Sequence, residues 1–281
     1  MLFRSVQRGG PSTGLPTKTE QSDLLQSLYG RNGESPVIVI AASTPANCFD
    51  FAYEAAKLTI EHMTPVILLS DGYIASGSAP WKIKSVADMP EIKNNIIKEA
   101  NENWHTYDRD ENTLARKWPI PGTKGLEHRV GGLEKDRITG NVSYIADNHE
   151  YMTKIRAEKI KRVQNYIPNL TTEFTDNGDL LVIGWGGTYG SLYSSVKQLK
   201  DEGYKNIGLA HFNYINPMPK NTETVLKQFK KIVVCELNTG QFAKVLKINF
   251  NGFEFLQFNK IQGLPFGNSE LTEKFKQLIS S

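Results

Sequence analysis

The stretch VIVIAASTPANCFDFAYEAAKLTIEHMTPVILLSDG, residues 37–72, decides the fold. It opens with a β-branched run (37–41), continues with apolar residues at helical spacing (49–63) and closes with a second apolar run (65–71). Parallel strands need a crossover connection, and a helix between two buried strands supplies one. The stretch therefore predicts an α/β fold with a largely parallel sheet.

The ends of these elements carry recognisable terminal residues. Ser43-Thr44-Pro45 is predicted to start the helix, as an N-cap followed by proline at the first helical position. Asp71 and Gly72 follow the second strand and predict a loop at the carboxyl edge of the sheet.

Towards the N-terminus, the sequence contains one more candidate strand, Leu2 to Val6. Three candidate strands are few for a sheet, whose mean size is about five or six strands. We therefore expect that N-terminal βα units of this domain are missing, either by truncation or because another polypeptide supplies them.

Residues 77–147, here called the arm, have no sustained hydrophobic period. A helix is predicted over Pro90 to Asn101, but no strand pair. So long a connection is usually functional or packed against something else. One hypothesis is therefore that the arm serves assembly, against a partner or a second copy of the chain.

The second half repeats the alternation of strands and helices. A charged helix is predicted at 151–163, followed by a polar linker at 165–179. Strands are then predicted at 180–185, 207–212, 231–237 and 253–258, with Thr188 as an N-cap and helices near 189–203, 222–230, 241–248 and 270–279. We predict two domains, 1–165 and 172–281, the second a self-contained four-stranded α/β unit.

Composition excludes several classes of protein. The net charge of +3 is spread along the chain, without the basic clusters typical of nucleic-acid binding. Two distant cysteines, Cys48 and Cys235, predict neither disulfides nor a cluster site, and the five histidines lack metal-ligand spacing. No apolar run is long enough for a signal peptide or a membrane span, so we expect a cytoplasmic protein.

The glycine-rich turn Gly184 to Gly190 follows a strand and opens a helix, which is typical of dinucleotide sites. Tyr189 stands where a third glycine would be needed, and His211 ends the next strand where a ribose-binding acid would be expected. A tight turn with close packing is the simpler interpretation. A nucleotide-binding or regulatory module stays as the alternative function.

The segment QRGGPSTG, Gln7 to Gly14, offers the best candidate for ligand binding. It places the Arg8 guanidinium at a strand end, followed by glycines and the hydroxyls of Ser12 and Thr13. This combination suits a bound anion, since guanidinium groups pair bidentately with carboxylates. A Gly-Gly-Pro turn with a surface arginine would give the same pattern, and both interpretations stay open.

The chain also resembles a known family. QRGGPSTGLPTKTEQSDL (7–24), WPIPGTKGLEHRVGGLEKDRITGNVSY (118–144), the histidine-to-lysine pattern at 149–159, GWGGTYGS (184–191) and ELNTGQ (236–241) are similar, in order, to the alpha subunits of 2-oxoacid:ferredoxin oxidoreductases. The middle segment resembles the 2-oxoglutarate type more than the pyruvate type.

The resemblance implies a partial pyrimidine-binding domain of a thiamine enzyme, followed by a domain similar to the C-terminal domain of transketolase. It implies oxidative decarboxylation of 2-oxoglutarate to succinyl-CoA, with electrons passed to ferredoxin. Thiamine diphosphate and Mg would lie at the interface with a beta subunit, which also holds the iron–sulfur cluster. The resemblance does not decide which 2-oxoacid is the substrate or whether Met1 is the natural start of the protein. It also leaves open whether two alpha subunits form a dimer.

Site residues carry over position by position. Arg8 matches the arginine expected to hold the substrate carboxylate, and Ser12 and Thr13 would support the loop or contact substrate. Glu236, Asn238 and Gln241 match a family motif but are interpreted as interface or packing residues. No catalytic residue is predicted in the chain, because the part with the activating acid is missing. The chain alone is expected to be inactive.

Overall fold

The computed structural model describes residues 1–99 and 104–280, which form two main sheets covered by helices. The strands are β1 (Leu2–Gln7), β2 (Ile38–Ala41), β3 (Val66–Asp71), β4 (Ile96–Ile97), β5 (Trp118–Pro119), β6 (Thr172–Glu173), β7 (Gly178–Trp185), β8 (Ile207–Phe212), β9 (Tyr214–Asn216), β10 (Phe229–Glu236) and β11 (Leu256–Asn259). The α-helices are α1 (Leu24–Tyr29), α2 (Cys48–Glu61), α3 (Gly72–Ser76), α4 (Ala146–Arg162), α5 (Tyr189–Asp201), α6 (Thr222–Leu226), α7 (Gln241–Asn249) and α8 (Asn268–Ser280). The predicted α/β class is confirmed.

The first sheet has the strand order β1-β3-β2-β9. Strands β1, β3 and β2 are parallel, and Gln7 lies opposite Asp71 in the register. These are the three predicted strands of the first half, so their prediction is confirmed. The fourth strand, β9, runs antiparallel to β2 and comes from the second half of the chain.

The second sheet has the strand order β11-β10-β7-β8-β6, with β6 antiparallel to β8 and the other neighbours parallel. The prediction of a self-contained four-stranded unit is therefore wrong. The sheet has a fifth strand, and β9 leaves the second half to pair with the first. Strands of two or three residues have no hydrophobic period from which they could be predicted.

The two halves share one hydrophobic core. Val39 and Leu69 of the first sheet belong to the same buried cluster as Trp185, Phe212 and Phe242 of the second half. The face of each sheet that points away from this core is covered by helices. Helices α2 and α4 pack on the first sheet, and α5 and α8 pack on the second. Since one cluster spans both halves, the boundary between 165 and 172 stays a prediction.

The arm is held against the rest of the fold by short contacts. In its described part, residues 90–99 form no helix, so the predicted helix is wrong there; Ala100 and Asn101 lie outside the described residues. Strand β4 pairs with β5, against the expectation of no strand pair. The amide of Asn95 donates to the Glu61 carbonyl (2.8 Å), and the Lys93 N–H donates to the Glu61 carboxylate (3.0 Å). These contacts with the end of α2 satisfy groups that a helix would otherwise pair.

Helix α2 begins at Cys48, later than the predicted start at Ser43 and Pro45. The Asn47 side chain accepts hydrogen bonds from the backbone N–H groups of Ser43 (3.1 Å) and Thr44 (3.0 Å). Asparagine side chains stabilise such turns by bonding nearby backbone groups, and this turn delays the helix. No helix among the described residues is long and apolar enough to cross a membrane.

Candidate functional site

The Arg8 loop, residues 8–18, leaves the carboxyl edge of the first sheet directly after β1. The Gly9 N–H donates to the Lys18 carbonyl (3.0 Å), and the Leu15 N–H donates to the Gly9 carbonyl (2.9 Å). Gly14 has a φ of 49°, and a Cβ there would overlap the Gly9 carbonyl oxygen. The loop is thus closed on itself, and Gly14 is required by both its backbone conformation and its close packing.

The predicted site residues Arg8, Ser12 and Thr13 all lie on this loop. The guanidinium donates to the Thr13 carbonyl and to the Ser12 carbonyl (2.9 Å for the latter). All three residues are exposed, and the hydroxyls of Ser12 and Thr13 have no hydrogen-bond partner within residues 1–99 and 104–280. The structure therefore presents one cation and two hydroxyls on a braced loop, which suits a carboxylate ligand.

Asp71 anchors this loop, a role that the sequence analysis missed. Its buried carboxylate accepts hydrogen bonds from the Thr19 hydroxyl (3.1 Å) and from the first N–H groups of α3, those of Tyr73 (3.0 Å) and Ile74 (3.1 Å). Burial raises the pKa of Asp71, while these hydrogen bonds and one from Gly187 act against the rise. A buried carboxylate needs such donors, so this arrangement ties the loop's end to the sheet.

The glycine-rich turn of the second half closes over the same carboxylate. The Gly187 N–H donates to Asp71 Oδ2 (2.8 Å). Gly186, Gly187 and Thr188 are buried, so the turn holds the chain's own carboxylate in place of an external phosphate. This geometry contradicts the nucleotide hypothesis for the turn and favours the tight-packing interpretation. The sequence feature that could have predicted this contact is an aspartate at a strand end, Asp71, together with a Gly-Gly turn after another strand, Gly186-Gly187.

Gln21 joins the segment after the Arg8 loop to the second half. Its side chain donates to the Trp185 carbonyl (2.6 Å) and accepts from the Leu237 N–H (2.9 Å). Asn238 donates to the Gln21 carbonyl (2.8 Å), and Gln241 bonds two backbone groups, the Ser22 carbonyl (2.8 Å) and the Leu25 N–H (2.9 Å). Asn238 and Gln241 are interpreted from the sequence as interface or packing residues, and these contacts within the chain are packing contacts.

Glu236 organises the other side of this contact. Its fully buried carboxylate accepts from the Trp185 indole N–H (3.1 Å), the Asn238 amide (2.9 Å) and the backbone N–H groups of Phe242 (2.8 Å) and Ala243 (2.9 Å). Burial raises the pKa of Glu236, opposed by these bonds. It stabilises the start of α7 and is not placed to act on a ligand.

A thiamine enzyme of this kind needs ligands for a metal ion and for an iron–sulfur cluster. No group of three or more His, Cys, Asp or Glu side chains among residues 1–99 and 104–280 could hold a metal ion. Cys48 and Cys235 are free, and burial raises the pKa of both thiols. Residues 1–99 and 104–280 thus offer no ligand set for a metal–diphosphate group or an iron–sulfur cluster.

Fold and site together define a class: two α/β units with a shared core and an arginine-bearing loop at the carboxyl edge of a parallel sheet. Within that class, the chain belongs to the family described as pyruvate flavodoxin/ferredoxin oxidoreductase, thiamine diphosphate-binding, whose model matches residues 1–144. The family resemblance seen in the sequence is thereby confirmed.

Similar proteins agree with this assignment. The chain is 47% identical over 272 residues to the 2-oxoglutarate oxidoreductase subunit KorA of Mycobacterium tuberculosis, covering 96% of this chain and 41% of the relative. It is 29% identical over 276 residues to the 2-oxoglutarate synthase subunit KorA of Methanothermobacter marburgensis, covering 98% and 72%. The structure of the Magnetococcus marinus 2-oxoglutarate:ferredoxin oxidoreductase, with 2-oxoglutarate, coenzyme A and succinyl-CoA bound, matches with a TM-score of 0.89 at 30% identity, covering 99% and 48%.

The chain spans less than half the length of two of these relatives, 41% of the mycobacterial subunit and 48% of the Magnetococcus chain. The comparisons therefore show the family of this chain, and the activity, substrates and partners of the whole enzyme are proposed below.

Proposed function

We propose that this chain forms part of the alpha subunit of a thiamine-diphosphate-dependent 2-oxoglutarate:ferredoxin oxidoreductase. The reaction is oxidative decarboxylation: 2-oxoglutarate and coenzyme A give succinyl-CoA and carbon dioxide, and the electron pair released passes to ferredoxin. The single observation that carries the proposal is the braced Arg8 loop at the carboxyl edge of the sheet. The 2-oxoglutarate named for the relatives supports the choice of substrate.

Arg8 binds a carboxylate of the 2-oxoacid in this proposal. Its guanidinium is already oriented by the Ser12 and Thr13 carbonyls, so little side-chain freedom is lost when substrate arrives. The free hydroxyls of Ser12 and Thr13 add donors to the same anion. Fixing the carboxylate places the neighbouring keto carbon for attack, which is a positioning role.

A beta subunit supplies the diphosphate and Mg site of the cofactor and the iron–sulfur cluster. The missing metal-ligand group among the described residues supports this division of labour. When bound, thiamine diphosphate stabilises the carbanion left by decarboxylation. Because the ligand set is incomplete here, no step of the reaction is assigned to this chain beyond binding and orienting the 2-oxoacid. We place the enzyme in the cytoplasm, in keeping with its free thiols.

The first part of the arm contacts the beta subunit in this proposal. It follows α3, the short helix whose first N–H groups donate to Asp71. Trp81 packs on Phe49 with ring centroids 5.2 Å apart, while Ile83 and Val86 are 80% and 85% exposed. Neighbouring exposed apolar side chains are typical of interaction surfaces. An unchanged rate of proteolysis at 77–88 after the beta subunit is added would contradict this contact.

The activity assignment is tested by replacing Arg8 in the full-length subunit, coexpressed with its beta partner. Loss of hydrogen bonds to a charged ligand costs about 1.5–3 kcal/mol, or roughly 10- to 150-fold in kcat/KM for 2-oxoglutarate. Arg8→Lys keeps the charge but not the bidentate geometry and should fall between Arg8→Ala and the parent. The measurement is 2-oxoglutarate-dependent dye or ferredoxin reduction.

Arg4→Ala is the matched control, because Arg4 is another exposed arginine, on β1 and outside the Arg8 loop. Equal kcat/KM in Arg8→Ala and Arg4→Ala would end the assignment of Arg8. Activity with pyruvate in place of 2-oxoglutarate would instead correct the substrate and leave the loop's role intact.

A further inference from the structure

A pocket of about 320 Å³ lies between the arm, α4 and Met63, and none of its lining residues belongs to the Arg8 loop. One lining residue, Met63, lies just before the start of β3, whereas the Arg8 loop begins after the end of β1. Its wall combines the arm with α4 and is lined by Met63, Tyr107, Arg109, Arg116, Gly132, Leu133, Glu134, Lys135, Met152, Arg156 and Lys159. Five of these side chains are cationic and one is a carboxylate. The pocket belongs to no part of the proposed reaction.

The cations are held close together and partly out of water. Arg109 and Arg116 each lie 5.5 Å from the ring centroid of Tyr107. Lys159 donates to the Met63 carbonyl (2.9 Å), and Lys135, only 4% exposed, donates to the Gly131 carbonyl (3.0 Å). These carbonyls satisfy hydrogen bonds but do not neutralise charge. Burial, with the nearby charges of Arg109 and Arg116, lowers the pKa of Lys159 to about 8.

The lining carboxylate does not balance the cluster. Glu134 lies 2.7 Å from His149 Nδ1 and 3.6 Å from Arg156 Nη1, so it is engaged at one side of the pocket. Arg116 Nη1 is buried and has no hydrogen-bond partner in the described part of the chain. A buried guanidinium nitrogen without a partner is costly, and a bound acceptor would remove that cost.

We propose that this pocket binds a phosphoryl oxyanion, which joins the arm to α4. A phosphate carries more negative charge than a single carboxylate and offers acceptors in several directions, as this convergent set of guanidinium and ammonium groups requires. The pocket is larger than one phosphate, so the anion is free inorganic phosphate, pyrophosphate or the phosphate end of a larger molecule. Binding of the anion stabilises the arm. It takes no part in the reaction proposed for the Arg8 loop.

The test is calorimetric titration of the full-length protein, in its native assembly, with inorganic phosphate and with pyrophosphate at constant ionic strength. We expect saturable binding with a Kd below about 1 mM. Arg116→Gln should weaken it by roughly tenfold or more, the loss expected for a charge-assisted hydrogen bond. Lys159→Met provides a second pocket variant if Arg116→Gln does not fold.

Lys154→Gln is the matched control: it removes one positive charge from α4 at an exposed position paired with Glu150, outside the pocket. It should change the Kd by less than about twofold. Tighter binding of pyrophosphate than of phosphate would indicate a larger phosphorylated ligand, and the reverse would indicate the free ion. The proposal is overturned if neither probe binds saturably, or if the pocket variants bind as well as Lys154→Gln.

Discussion

Replacing Gly187 by alanine should disrupt the contact between the two halves of the chain. A Cβ at Gly187 would lie 2.6 Å from Asp71 Oδ1 and 2.8 Å from Asp71 Cγ, and closer still to Oδ2. The carboxylate cannot simply move away, because it also accepts hydrogen bonds from Thr19, Tyr73 and Ile74. Either the turn shifts or these bonds break.

The expected cost combines two effects. Overpacking a filled site costs about 1–3 kcal/mol, and losing the hydrogen bond from the Gly187 N–H to a charged acceptor costs about 1.5–3 kcal/mol. We therefore expect Gly187→Ala to lower the free energy of unfolding by about 2.5–6 kcal/mol, measured by urea denaturation of the full-length protein.

Gly190→Ala is the control from the same glycine-rich segment. Nothing lies within 4 Å of a Cβ there, and Gly190 is inside α5. Alanine is favoured over glycine in helices, so this variant should be neutral or more stable by up to about 1 kcal/mol. A cycle with Asp71→Ala should show coupling, since removing the carboxylate relieves the overlap. A Gly187→Ala protein within about 1 kcal/mol of the parent, or strictly additive effects, would refute the reasoning.

Three further predictions concern buried polar groups. Gln21→Ala should lower the free energy of unfolding by about 1–3 kcal/mol, because the Leu237 N–H and the Trp185 carbonyl lose their partner. Gln198→Ala, at an exposed position of α5, is the control, and an unchanged urea midpoint in Gln21→Ala would contradict the role of Gln21. The depressed pKa of Lys159, about 8 against an ordinary 10.5, means that the folded state binds fewer protons than the unfolded state between these values. Stability should therefore rise with pH across that window in the parent and less steeply in Lys159→Met, as measured by denaturation at stepped pH; equal slopes would sink the assignment. Burial raises the pKa of Glu236, so its contribution to stability is present below its ordinary pKa and is lost as pH rises through the folded value. Glu236→Gln should abolish that part of the acid-side pH profile, and a profile unchanged from the parent would show that another group is responsible.

The local elements of this protein could be predicted because each carries its own signal. The run of β-branched residues at 37–41 has one strongly preferred conformation, and the fully buried β2 follows from it. The residue types of the Arg8 loop could be recognised from the sequence, because they are all adjacent in the chain. Whether the loop binds a 2-oxoacid stays a prediction that the Arg8 variants test.

Other features could not be predicted, because their causes lie far apart in the chain. Strand β9 has three residues and pairs with β2 only because the shared core brings them together. The predicted helix over residues 90–101 was wrong because contacts with Glu61 override local propensity in its described part.

The amino-acid sequence by itself determined the α/β class, the family and the chemistry available on the Arg8 loop. These depend on hydrophobic period and on residues adjacent in the chain. Only the tertiary structure decided that Asp71 fills the turn at Gly187 and that Arg116 and Lys159 share one pocket. The physical reason is that buried charges are placed by packing between distant segments, and local sequence patterns carry no record of which segments will meet.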